Sequence, residues 1–202
     1  MSNGEEHELF QQARAGDRAA FDLLQEALET PVGRFVRRLV GDSDEEDDIV
    51  QDAFLALYMN LERLDSSEHL RPFLFRVVRN LCYDELRRKG RFQYVSLDGS
   101  PDDSDISLPF LVDGRLPLDE KLHWVQLCSE VLRAIERLPE LQRQTMILYC
   151  EEELSYAQIA EAMATDIGTV KSRIYYGRQN LRKLLKPEIL EALGIEKDSL
   201  KA

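Results

Sequence analysis

Apolar residues recur three and four positions apart over long stretches of the chain, and period-two alternation is nearly absent. That is the repeat of an α-helix that buries one face, so the fold class is all-α. In the first half the periodicity predicts helices over residues 5–15, 18–28, 31–40, 44–61 and 70–89. Their stops fall at Gly16 and Asp17, at Thr30 before Pro31, between Gly41 and Ser43, and at Gly90, all residues that cap or break helices. From Ser96 to Pro117 the periodicity lapses into Asp98, Gly99, Pro101, Asp102, Asp103, Asp105, Pro109, Asp113 and Gly114, too polar to bury a face. It resumes over residues 118–137, 139–151, 156–163 and 167–185, and a short amphipathic tail follows from 187 to 202. The expected organisation is two small helical domains, 1–95 and 118–186, joined by an acidic flexible linker at 96–117 and followed by a tail at 187–202.

A net charge of −12 argues at first against a nucleic-acid partner, because a surface that binds DNA must offset phosphate charge. The charges are not spread evenly, however. Residues 71–91 hold Arg71, Arg76, Arg79, Arg87, Arg88, Lys89 and Arg91 against Asp84 and Glu85, a balance of 7 − 2 = +5. Residues 171–186 hold Lys171, Arg173, Arg178, Arg182, Lys183 and Lys186 with no acid, a balance of +6. Two basic islands in an acidic chain suit binding at two places, with general adhesion to DNA suppressed elsewhere.

In the first island Arg76, Asn80, Tyr83 and Arg87 lie on one stripe of a helix, with Arg88 beside them, while Phe73, Leu74, Val77, Val78, Leu81 and Leu86 cover much of the rest. Guanidiniums suit phosphates, an amide suits base edges and an aromatic ring suits stacking, although a merely solvated basic face has the same composition. On the preceding helix Asp48, Gln51, Asp52, Leu55 and Met59 share a face opposite Val50, Ala53, Phe54, Leu57 and Leu61. The second set reads as core. The first mixes acids with Leu and Met, more often a partner-binding surface than a wet one.

The second island follows a capping box. Ser155-Tyr156-Ala157-Gln158 has the S-x-x-Q form, in which the serine oxygen and the glutamine side chain satisfy free backbone groups at a helix start. Ile159, Ala160 and Met163 give that helix a short apolar face, a turn at Ala164 and Thr165 follows, and Asp166 is a good N-cap for a longer helix. There Val170, Ile174, Leu181, Leu184 and Leu185 face inward, and Lys171, Ser172, Tyr175, Tyr176, Gln179, Arg182 and Lys183 face outward. Short helix, tight turn and longer basic helix is the helix-turn-helix pattern. An ordinary bundle helix is the alternative, but an ordinary exposed helix would mix signs where this one has no acid.

Other chemistries find little support. Cys82, Cys128 and Cys150 are far apart, form no C-x-x-C pair and sit in apolar helical patterns, so buried reduced thiols are expected. His7, His69 and His123 lie in unrelated segments and make no metal-ligand spacing. No catalytic residue, metal or cofactor is expected. No uncharged apolar run approaches the length that spans a bilayer and the N-terminus is acidic, so a cytoplasmic protein without membrane insertion is expected.

Several of these stretches, in this order, resemble the sigma-70 family of RNA polymerase subunits, specifically its extracytoplasmic-function (ECF) group. Asp47-Asp48-Ile49-Val50-Gln51-Asp52-Ala53-Phe54 resembles the family's second-region helix, and Arg79-Asn80-Leu81-Cys82-Tyr83-Asp84-Glu85-Leu86-Arg87-Arg88 its −10 helix. Leu138-Pro139, Ser155 to Ala160 and Gly168-Thr169-Val170-Lys171-Ser172-Arg173 resemble its fourth region. The resemblance implies a non-enzymatic factor that binds core RNA polymerase and directs it to promoters. By it, Asp48, Gln51, Asp52 and Leu55 would dock on the clamp of the largest subunit. Residues 65–70 with Arg76, Asn80, Tyr83, Arg87 and Arg88 would recognise and open the −10 element and hold a flipped base. Thr169, Lys171, Ser172, Arg173, Tyr175, Tyr176 and Gln179 would read the −35 duplex in the major groove, with the same domain touching the polymerase flap. Members are commonly held inactive by an anti-sigma protein, which makes one a candidate partner.

Two positions depart from the family pattern. Ala164 stands where glycine often fills the turn, a strain of up to about 1 kcal/mol if φ is positive. Tyr176 stands where many members carry a basic residue, so stacking or methyl contact would replace a bidentate base contact. An ordinary helix-turn-helix regulator acting without polymerase, or a polymerase-binding antagonist, are the readings that compete. The first leaves the Arg76–Arg87 stripe and the Asp48–Leu55 face unexplained, and the second has no use for the second basic island.

Overall fold

The structure, a computed structural model, describes residues 1–41, 45–90 and 118–192. Among them the elements are nine α-helices and two 3-10 turns: α1 (Asn3–Arg14), α2 (Arg18–Val40), α3 (Glu46–Asn60), the turns Leu61–Arg63 and Ser67–His69, α4 (Leu70–Arg88), α5 (Leu118–Glu136), α6 (Glu140–Cys150), α7 (Tyr156–Met163), α8 (Ile167–Leu184) and α9 (Pro187–Ala192). The all-α expectation holds for these residues. The expected linker at 96–117 lies outside the described residues, as does the tail beyond α9. The helices gather into two compact units, one of α1–α4 with α7 and the other of α5, α6, α8 and α9.

The first unit is built around α2. Its buried Leu24, Leu28, Val32, Phe35, Val36 and Leu39 recur three and four residues apart, so one apolar stripe runs the length of the helix. Against it pack Phe10 of α1, Ala53 and Leu57 of α3, and Leu74, Phe75 and Val78 of α4, all fully or almost fully buried. Phe35 and Phe75 meet edge to face with centroids 5.2 Å apart, the arrangement their quadrupoles favour.

The expected break at Thr30 and Pro31 does not occur, because α2 is continuous over 23 residues with Pro31 inside it. Proline in a helix interior forfeits one hydrogen bond and costs about 3 kcal/mol on propensity alone. The apolar stripe keeps its phase across the site, since Leu28 and Val32 flank Pro31 at four-residue spacing and are both fully buried. Burying one such side chain is worth about 1.5–3 kcal/mol, so packing on both sides of Pro31 outweighs the local penalty. The start of α1 is also earlier than residue 5: Ser2 Oγ accepts from Glu5 N–H and Glu5 Oε2 accepts from Ser2 N–H, a capping box at the chain's second residue.

In the second unit α6 and α8 pack through Met146, Ile147, Val170, Ile174 and Leu181, all buried. The approach depends on Gly177, where an added Cβ would lie 2.9 Å from Met146 Cγ. Asn180 Nδ2 donates to Gln142 Oε1 at 2.9 Å across the same pair of helices.

Cys82 and Cys150 are buried and free as expected, whereas Cys128 is only half-buried. Desolvation pushes the Cys82 and Cys150 thiols up to about 12 and raises Cys128 as well. The thiolate is the reactive form. In a thiol titration of the native protein near pH 8, Cys128 is expected to label slowly, and Cys82 and Cys150 only when denaturant is added. Labelling of all three at one rate in the native state would contradict this packing.

Candidate nucleic-acid and polymerase interfaces

Helix α3 divides as its sequence pattern predicts. Ile49, Val50, Ala53, Phe54 and Leu57 are buried, while Asp48, Gln51, Asp52, Leu55, Tyr58 and Met59 are exposed. Leu55, Tyr58 and Met59 keep 58%, 54% and 72% of their surface open to water, more apolar exposure than solubility calls for on one helix face.

Helix α4 carries the first basic island, and here the structure redraws the charge count. Arg71 is not free for phosphate: its Nη2 lies 2.7 Å from Glu6 Oε2, and its Nε donates to the same carboxylate. At the other end of the helix, Glu45 accepts from Arg88 at 3.1 Å and from Lys89 at 2.6 Å, Glu85 pairs with both, and Arg87 pairs with Asp84 at 2.8 Å. Glu6 and Glu45 lie far from the island in sequence, so summing charges along 71–91 overstates its positive field.

The stripe itself is only partly on the surface. Asn80 and Arg87 are exposed and Arg76 is half-buried, its guanidinium 5.5 Å from the centre of the Phe73 ring. Tyr83 departs from the expected stripe, with only 8% of its surface exposed and the Arg79 guanidinium 4.8 Å over its ring. As placed, that ring packs between the helix and Arg79 rather than offering a face to a base. Arg88 remains two-thirds exposed despite its ion pairs.

Before α4 the chain turns through a loop whose ends, Leu64 and Leu70, are buried and whose Asp65, Glu68 and His69 are exposed. Ser66 Oγ caps the second 3-10 turn by accepting from Glu68 N–H. Helix α7, in the same unit, also reaches the loop: Gln158 Nε2 donates to the Glu68 carbonyl, and Glu161 Oε2 lies 2.7 Å from His69 Nδ1. That hydrogen bond, and then the carboxylate's charge, hold the His69 pKa above its ordinary value.

Helix α7 begins with the expected capping box, Ser155 Oγ accepting from Gln158 N–H and Gln158 Oε1 from Ser155 N–H. It ends at Ala164 with φ 50° and ψ 51°, the left-handed conformation that would strain a non-glycine residue. On α8, Val170, Ile174 and Leu181 are buried as expected, as is Leu185 just past its end, whereas Leu184, also expected inward, is only half-buried. Lys171 and Lys183 are exposed, and Thr169, Ser172, Arg173, Tyr175, Tyr176, Gln179 and Arg182 are half-buried. The polar groups are partly engaged with one another. Gln179 Nε2 donates to Tyr175 Oη at 2.8 Å, Ser172 Oγ donates back to the Gly168 carbonyl, and the Tyr175 and Tyr176 rings meet edge to face at 5.2 Å. Arg178 does not join the outer face: it is buried, lying 5.3 Å from the centre of the Tyr149 ring and donating to Tyr149 Oη at 3.2 Å.

Among the described residues no group of three His, Cys, Asp or Glu could hold a metal ion, and no helix is long and apolar enough to cross a membrane. Comparison with known proteins is consistent along the chain. Residues 24–92 match the family Sigma-70 region 2, and residues 128–181 match Sigma-70, region 4. The ECF RNA polymerase sigma factor SigW of Bacillus subtilis is 30% identical over 176 residues, 87% of this chain and 94% of SigW. The RNA polymerase sigma-H factor of Pseudomonas aeruginosa is 30% identical over 200 residues, 95% of this chain and all of that one. Of solved structures, the sigma factor RpoE of Bartonella quintana, crystallised with the anti-sigma factor NepR, superposes with a TM-score of 0.56 at 25% identity, covering 83% of this chain and 98% of that one. CnrH, solved with the cytosolic domain of CnrY, shares the fold with a TM-score of 0.60 at 21% identity, covering 89% and 96%. The chain belongs to the sigma-70 family, in its ECF group, and is an RNA polymerase sigma factor that directs promoter-specific transcription initiation.

Proposed function

We propose that this sigma factor divides promoter recognition between its two basic helices. The loop at 65–70 with Arg76 and Asn80 of α4 recognises and opens the −10 element and holds an unpaired base. Thr169, Lys171, Ser172, Arg173, Tyr175, Tyr176 and Gln179 of α8 face the −35 duplex, and the exposed α3 face of Asp48, Gln51, Asp52 and Leu55 docks on the polymerase clamp. The observation that carries this reading is that Asn80 and Lys171 stand exposed on basic helices in separate compact units, while α3 keeps a third, acidic and apolar face uncovered. Exposed Arg87 and Arg88 contribute to the −10 side only as far as their ion pairs release them. Tyr83 contributes by packing α4 unless Arg79 moves off its ring.

In this reading the factor works in the cytoplasm and is not an enzyme, since the chemistry of RNA synthesis stays in the polymerase. An anti-sigma protein is the proposed antagonist, supported by the complex of the related RpoE with NepR.

The free chain is expected to bind promoter duplex weakly and core polymerase to confer tight, sequence-specific binding. Residues 96–120 carry Arg115 against seven acids, 1 − 7 = −6, and their field opposes phosphate at moderate salt. Fluorescence anisotropy of labelled promoter with and without core polymerase tests this. Nanomolar, promoter-specific binding by the free chain would overturn this account of the acidic segment.

A further inference from the structure

The loop at 65–70, on which base capture rests in the proposed function, has little of its own to hold its shape. Between the buried Leu64 and Leu70 it has one 3-10 turn, whose hydrogen-bond geometry is poor, and the single Ser66 cap. A pocket for an unpaired base must nonetheless be held to within a fraction of an ångström. Helix α7 supplies part of that, through Gln158 on the Glu68 carbonyl and Glu161 on His69, and α1 supplies the rest. Helix α1 touches the loop and its exit along one side: Arg14 Nη1 donates to the Asp65 carbonyl at 3.4 Å, His7 Nδ1 lies 2.8 Å from Ser67 Oγ, and Glu6 receives the two-pronged Arg71 guanidinium at 2.7–3.1 Å. The Glu6–Arg71 pair is the firmest of the three. Glu6 is only 8% exposed, and both arms of the carboxylate and the guanidinium are used, a geometry that fixes orientation as well as distance. Phe10 and Ala13, buried on the same helix, fasten α1 to the rest of the unit, so the support is itself anchored.

We infer that α1 is a clasp for the −10 loop, with Glu6 and Arg71 as positioning residues that set the base-binding geometry without touching DNA. Helix α1 lies outside the residues that match the region 2 family, 24–92, and Arg71, counted with the DNA-binding charges by sequence alone, is assigned here to the loop's support instead. The inference rests on the reading that this loop captures a −10 base.

The two roles open to Arg71 predict opposite signs. If Arg71 binds phosphate and Glu6 merely competes for it, Glu6→Gln releases the cation and strengthens DNA binding regardless of sequence. As a clasp, Glu6→Gln loosens the loop and blunts base selection. The experiment uses full-length protein with core polymerase on promoters carrying a pre-opened bubble at −10, comparing each base at every unpaired position. Wild-type protein is expected to discriminate among the bases at one position or more. Glu6→Gln and Arg71→Lys are expected to reduce that discrimination by roughly fivefold or more, the low end of what one base contact supplies, with core-polymerase affinity unchanged. His7→Ala, at an exposed position that cannot threaten the core, is expected to reduce it in the same direction by less. A purely structural ion pair would lower thermal stability and leave the base preferences of the surviving protein intact, and that result in His7→Ala and either pair variant overturns the clasp. So does tighter, sequence-independent binding by Glu6→Gln. If wild-type protein itself shows no base preference on the bubble, the base-capture reading fails and takes the clasp with it. Wild-type discrimination with unaltered variants removes the clasp alone.

Discussion

Asp48→Arg combined with Gln51→Ala is expected to abolish measurable association with core RNA polymerase while the protein stays folded. Both side chains are exposed on α3, and the residues that anchor the helix, Ile49, Val50, Ala53, Phe54 and Leu57, point the other way. Charge reversal sets like charges against each other wherever the partner surface is complementary, which costs several kcal/mol, on the order of a hundredfold or more in affinity. The effect on stability is much smaller. Asp48 sits in the first turn of α3, where its charge complements the helix dipole, so losing it costs about 0.3–1 kcal/mol. Competition with the unaltered protein for core polymerase reads the first effect, and thermal melting followed by circular dichroism reads the second. Unfolding of the double variant would mean that these positions are core. Retained affinity would mean that the polymerase docks elsewhere, and the exposed Leu55, Tyr58 and Met59 would then need another explanation.

What the sequence shows and hides follows from the range of the interactions involved. Periodicity is local, so the faces of α3 and α8 and the capping box at Ser155 are readable residue by residue. Pro31 is misleading because propensity is also local while the burial that overrides it is not: α2, with Leu28 and Val32 fully buried, packs against α1, α3 and α4. Charge is the harder case. Glu6 reaches Arg71 across 65 residues and Glu45 reaches Arg88 across 43, so no window along the chain reveals that these cations are spoken for. Tyr83 and Arg178 share a different cause. Each lies near the border between the wet and the buried side of its helix, where a neighbour decides: Arg79 closes over one ring, and Tyr149 draws the other residue inward. The supporting role of α1 has no local signal at all, since Glu6, His7 and Arg14 become meaningful only when the loop lies beside them.

The two basic helices should fail in distinguishable ways, and Asn80→Ala against Lys171→Ala is the cleanest comparison because both side chains are exposed. Tyr83→Ala is unsuitable for the purpose: the ring is 8% exposed, and truncating a buried aromatic costs about 3–5 kcal/mol, so stability would fall before base recognition could be read. Removing the Asn80 amide is expected to impair open-complex formation on duplex promoter, because opening the −10 element spends a few kcal/mol on unstacking that protein contacts must offset. A pre-opened bubble supplies that energy in advance and should restore part of the loss, leaving only the deficit of the base contact itself. Lys171→Ala acts on intact duplex, where losing a base or phosphate contact costs about 1–3 kcal/mol or lowers the salt dependence by about one charge. No bubble at −10 can repair that. Ser172→Ala should resemble Lys171→Ala but be weaker, since the hydroxyl's one proton is already donated to the Gly168 carbonyl and must leave it to reach a phosphate. Permanganate footprinting of the opened strand together with −35 fragment competition separates these effects. If the bubble rescues Asn80→Ala and Lys171→Ala equally, the division of duties between α4 and α8 is wrong, although the protein remains a sigma factor.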